Sequence, residues 1–163
     1  MFIKALLPAM LLAATTLAHA QQPAGTPMPA AQQAPARAPE QQAALAKQNQ
    51  AILQIAQRTA QMIDQNQADQ VWDGASDIAK KAAPKDVFVK QIANDRQALG
   101  ALTARTAQGI TRRQSAGGPV PAGQYVSVSF ATQFAKFKQP VRELVTFHLD
   151  ADHVWRLAGY TVH

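Results

Sequence analysis

The spacing of apolar residues changes once along this chain, at Gly100, and that change limits the folds open to it. Before Gly100 they recur at three- and four-residue intervals; after it they alternate. Ile52, Ile55, Ala56, Thr59, Met62 and Ile63 share one face of a helix that the pattern begins at about Ala43. It ends near Asn66, a residue that tolerates a left-handed cap. A second helix is expected over Ala68 to Ala82, with Val71, Trp72, Ala75, Ile78, Ala79 and Ala82 on one side. Pro84 suits the entry of a third, from about Lys85 to Leu99, with Asp86 near the positive end of its dipole and Gly100 at its exit.

Beyond Gly100 the chain reads as strands. Thr103 to Ser115 is a weak one, and Gly117-Gly118-Pro119 with Pro121 and Gly123 marks a turn. Val126, Val128 and Phe130 alternate with Tyr125, Ser127 and Ser129; Val141 to Asp150 alternates again after Gln139-Pro140. Asp150-Ala151-Asp152 reads as a hairpin turn before a last strand from Val154 to His163. Helices first and a meander second predict an α+β domain, three N-terminal helices packed on a four-stranded antiparallel sheet. Val126, Val128, Phe130, Val145, Phe147, Leu149, Trp155 and Leu157 form the expected helix-facing set. The opposite face, with Tyr125, Ala131, Leu144, Ala158 and Tyr160, is less polar than solvent exposure favours, which suggests a homodimer through it.

The domain is expected over residues 43–163, with two different segments before it. Lys4, the apolar run Ala5 to Leu17 and the small residues of Ala18-His19-Ala20 read as a secretory leader over 1–20, so the mature chain is expected in the periplasm or released. Residues 21–42, rich in Ala, Gln and Pro, read as a flexible linker. No other stretch is long and apolar enough to span a bilayer. With no cysteine, the chain has no disulfide, thiolate metal site or cysteine nucleophile. The formal charge is +6, which gives weak attraction to anionic envelope surfaces. Its basic residues are scattered and aromatics few, so nucleic acid is not an expected partner.

Trp72, the run Arg96-Gln97-Ala98-Leu99-Gly100, Gly123-Gln124-Tyr125-Val126 and the closing Trp155-Arg156-Leu157-Ala158-Gly159-Tyr160 carry a resemblance. From about Lys47 to His163 the chain resembles the bacterial secreted-protein family known as domain of unknown function 4019. That resemblance implies an exported protein without an established activity. Its element order is also similar to the cystatin-like and nuclear-transport-factor-2-like shapes, which host isomerases, dehydratases and binding modules alike. The turn Asp150-Ala151-Asp152-His153 departs from the family, which often has a glycine there.

No catalytic residue, cofactor or metal is assigned. His148, Asp150, Asp152 and His153 offer imidazole and carboxylate ligands, but a hairpin turn explains them more simply. Asp69, Asp73 and Asp77 read as a solvated helix face. Arg112 and Arg113, with Lys136, Lys138 and Arg142, read as scattered charge, since neighbours on a strand point to opposite faces. Nucleophile elbows, phosphate loops and zinc-protease motifs are missing from the sequence. Any pocket between sheet and helices is expected to be mainly apolar, and the inward residues offer no general base to a lyase or isomerase reading. The candidate interaction surface is the outer sheet face, with Tyr125, Arg142, Leu144, His148, Arg156 and Tyr160 projecting from it. A non-enzymatic binding or interaction module is the expected function.

Overall fold

The computed structural model describes residues 38–163, so the expected leader and most of the linker lie outside the described residues. Four helices precede four strands: α1 (Pro39–Asp64), α2 (Ala68–Asp73), α3 (Asp77–Ala82), α4 (Lys85–Leu99), β1 (Leu102–Ser115), β2 (Gly123–Phe134), β3 (Val141–Leu149) and β4 (Trp155–Val162). Pro39 fills the first helical turn of α1 and Glu40 complements its dipole, so the helix begins earlier than the expected boundary at 43. Asn66 adopts φ 59° just beyond its end, as its cap chemistry predicts.

The single second helix expected over Ala68 to Ala82 is corrected to two short ones. Gly74 caps α2, and Ser76 turns extended to cap α3, its Oγ accepting from the Ile78 amide at 3.4 Å. A glycine lowers the cost of breaking the helix, and the serine offers its amide a better partner outside it: Ser76 N donates to the Leu157 carbonyl at 2.9 Å. That bond ties the entry of α3 to β4.

The strands form one antiparallel sheet in the order β1-β2-β3-β4. Val128 sits opposite Ile110 and Val145, and Val126 opposite Phe147, so the expected inward set does share one face. With Ile52, Ala56 and Ile63 of α1, Val71 of α2 and Ile92 of α4, these residues make one continuous core. Each large apolar side chain buried there contributes about 1.5–3 kcal/mol. Helix α3 has its main strand contact with β4, and its Ala79 packs against the core.

Two irregularities decide which residues face inward. On β1 the register slips at Thr103 and again at Gln108, which places Arg105 opposite Thr132 on the helix side. On β4 Ala158 is an extra residue, because Thr146 pairs with Gly159 while Phe147 pairs with Leu157. The extra residue turns Tyr160 to the helix side, opposite Val145, and corrects the expectation that Tyr160 projects from the outer face.

Candidate functional site

A further correction concerns the sheet–helix interface, where a titratable group does face inward. Glu143 is fully buried on the helix side of β3. Its carboxylate accepts from Arg105 Nε at 2.6 Å, Thr132 Oγ1 at 2.7 Å and Tyr160 OH at 2.6 Å. Arg105 also grips Asp64 of α1 at 2.7 and 3.0 Å, and Arg96 of α4 reaches the same Asp64 at 2.6 Å. Arg96 lies over the Phe134 ring, 5.0 Å from its centroid. Burial works against the Glu143 charge, but the bonds from Arg105, Tyr160 and Thr132 outweigh it and hold its pKa below the usual carboxylate value. Burial also opposes the Arg105 charge, and Asp64 and Glu143 more than restore it. Tyr160 is pushed well above its ordinary value, first by burial and then by the Glu143 charge. These groups answer one another, and a carboxylate so fully engaged has no lone pair free to take a substrate proton.

On the outer face, Tyr125 pairs with His148, and His148 with Arg156. Their side chains form a row across the sheet. Tyr125 and His148 are largely buried, with ring centroids 5.0 Å apart, and the Tyr125 hydroxyl donates to the Pro121 carbonyl at 2.9 Å. Burial raises the pKa of that hydroxyl. Gly123 adopts φ 146°, and a Cβ there would collide with His148 Nε2, so only glycine lets the imidazole pack against the start of β2. Arg142 and Leu144 share this face further along β3, so of the expected surface residues only Tyr160 is elsewhere.

At the end of the row lies a polar knot. Asp150 Oδ1 accepts from Ser76 Oγ at 2.6 Å and meets His148 Nδ1 at 2.7 Å, while Arg156 spans Asp150 Oδ2 and Asp152. Burial raises the Asp150 pKa, but Ser76, His148 and Arg156 reverse that and leave it lowered; Arg156 draws Asp152 down to about 2. The serine donates to the aspartate and not to the imidazole, so this is no nucleophile–base pair. The turn reading of Asp150 to His153 agrees with its backbone: His153 N donates to Asp150 O at 2.9 Å, and exposed His153 takes φ 60°, a conformation that glycine adopts without cost.

Beside that row runs a trough of about 620 Å³, open to solvent along the outer face. Its floor is Ser127, Thr146 and Gly159, which lie side by side on β2, β3 and β4. Ile78 and Ala82 of α3 form one bank, and Pro119, Val120 and Pro121 with Tyr125 form the other. The second bank is fixed by Ser115, whose Oγ donates to the Val120 carbonyl at 2.9 Å. Lys81 and Arg113 are the charged members of the lining. Its size and apolar walls are those of a small-molecule site.

Sequence reading reached Tyr125 and His148 but missed the trough, because α3 had been fused into a longer helix and its role as a bank was invisible. Arg112 and Arg113 do diverge, as expected: Arg112 reaches Gln48 on α1, at 2.9 Å, and Arg113 reaches the trough. Glu143 had a signal in the sequence, since it is in phase with Val145 and Phe147. Arg105 had none, because the slip at Gln108, between it and Ile110, sets its phase.

Residues 55–160 match the sequence model of a family described as Protein of unknown function (DUF4019). Among curated proteins, none matches the chain. Among the described residues, no helix is long and apolar enough to cross a membrane.

Proposed function

The chain belongs to the family described as Protein of unknown function (DUF4019), and from that premise we propose that it is a non-enzymatic binding module whose site is the outer trough. The carrying observation is the contrast between the two sides of the sheet. On the helix side the Glu143 carboxylate is engaged by Arg105, Thr132 and Tyr160, while the outer side offers an open, apolar-walled trough of about 620 Å³. On this reading the protein works in the cell envelope after loss of residues 1–20, and its sheet and helices take a cystatin-like or nuclear-transport-factor-2-like shape. A lyase or isomerase role would need a base free to accept a proton, and Glu143 is engaged.

Gly159 supplies the test. It lies on the trough floor, its φ is ordinary for any residue, and a Cβ there meets no atom within 4 Å. Gly159→Leu therefore fills the trough from within and leaves the fold intact. The neutral dye Nile red should bind the natural chain with enhanced emission and lose that emission at least about tenfold in affinity with Gly159→Leu. Unchanged dye binding in this variant, with a native circular dichroism spectrum, refutes the trough as the site. A second copy of the chain is the competing occupant, favoured by Leu144 and Ala158 on the same face. Light scattering on the natural chain and Gly159→Leu separates the two: a dimer that the variant dissolves replaces the small ligand by self-association.

A further inference from the structure

We propose that the ligand of the outer trough is an organic anion, an apolar body with one anionic head received by Lys81 and Arg113. This inference rests on the trough being the binding site and adds the chemical class of what it holds. The lining contains Lys81 and Arg113 and no Asp or Glu. Four cations elsewhere in the domain are matched: Arg96 and Arg105 by Asp64 and Glu143, Arg156 by Asp150 and Asp152, and Lys85 by Asp73. Other cations without an ion pair among the described residues, such as Arg58, Lys90 and Lys138, lie outside the trough, whereas Lys81 and Arg113 converge on it. Lys81 and Arg113 have no carboxylate within ion-pair distance among the described residues.

They also stand on different elements, Lys81 on the last turn of α3 and Arg113 on β1 near the glycine turn. A neutral apolar guest would strip water from these cations without replacing it, and a cationic guest would add repulsion. An anionic head answers both, through charge-assisted hydrogen bonds that a guanidinium and an ammonium make well. The body is apolar because the banks are, and the floor hydroxyls Ser127 Oγ and Thr146 Oγ1 are partly engaged by bonding each other at 2.9 Å. Ile78, Ala82, Val120 and Pro121 are then left to contact carbon.

Three ten-carbon probes of different charge decide it: decanoate, 1-decanol and decylammonium, titrated calorimetrically into the full chain below micelle formation. Decanoate should bind at least about tenfold more tightly than either of the others, a difference of about 1.4 kcal/mol. Lys81→Ala with Arg113→Ala should weaken decanoate about tenfold and leave decanol unchanged, and Gly159→Leu should abolish both. Equal affinities for the three probes, all lost with Gly159→Leu, overturn the anionic head and leave the trough standing as a site. Decanoate binding that survives Gly159→Leu, or no binding of any probe, overturns the trough and the anion together. Circular dichroism of each variant separates lost binding from lost fold.

Discussion

Glu143 has no solvent exposure, yet it carries a charge that α1, α4, β1 and β4 all help to hold. Removing one partner of a buried pair costs more than the pair contributes, because the other charge is left in a poor medium. Glu143→Gln keeps the shape and removes the charge, so it should destabilise the domain by about 3–5 kcal/mol at neutral pH, read by urea denaturation. The sign of the pH dependence follows from the lowered pKa. The unfolded chain's Glu titrates near about 4.3 and the folded one lower, so between those values the unfolded state binds more protons. Stability from Glu143 is complete above that range and disappears as pH falls through the folded pKa. The gap between natural chain and Glu143→Gln should therefore narrow progressively below about pH 4.3. A gap that stays constant from neutral pH down to pH 3, the lower end of the titration taken as roughly one unit beneath the unfolded value, contradicts the ionised assignment. Glu143 could be placed inward from its alternation with Val145, but its partners could not be named: Arg105 and Tyr160 both depend on residues that break alternation.

At the scale of elements, the helical and alternating patterns located every layer, and the exceptions were local. Gly74 and Ser76 split the expected second helix, a break whose reward lies in contacts to Leu157 and Asp150 far along the chain. A pattern confined to a short window cannot contain such a partner. The same holds for the extra residue Ala158, which a run of mixed side chains conceals until its neighbours on β3 are known. Deleting Ala158 should restore simple alternation and leave Tyr160 opposite Val145 on the helix side, still against Glu143. Glu143 keeps this partner, so the loss should stay below about 1 kcal/mol. Ultraviolet titration gives an independent reading: the chain has Tyr 2, and both hydroxyls are raised by burial. In the deletion variant neither should ionise near the ordinary value of about 10. A tyrosine that ionises near about 10 would show that the strand has turned over and that Ala158 is not the extra residue.

For the whole molecule, the extent of the fold differs from the extent of the family match. The match starts at residue 55, inside α1, whereas Ile52 is already buried and Gln48 holds Arg112. Residues 38–44 are exposed throughout, so a chain starting at Leu45 should unfold cooperatively within about 4 °C of the full one. A chain starting at Gln57 loses Ile52 and Ala56 from the core and should show no cooperative transition above about 25 °C. Equal melting of both truncations would mean that the first half of α1 adds nothing to the core.

The sheet has two lateral borders, and they are defended differently. Beside β4 the Leu157 carbonyl is occupied by Ser76, whereas β1 ends the sheet. Its slips at Thr103 and Gln108 bend the strand, and Arg112 and Arg113 put positive charge on opposite sides of it. Kinked and charged, that border makes a poor mould for another chain. Straightening it by removing the surplus residues would expose a long, evenly spaced ladder, and the cost would appear as fibre growth between molecules and not as a weaker fold.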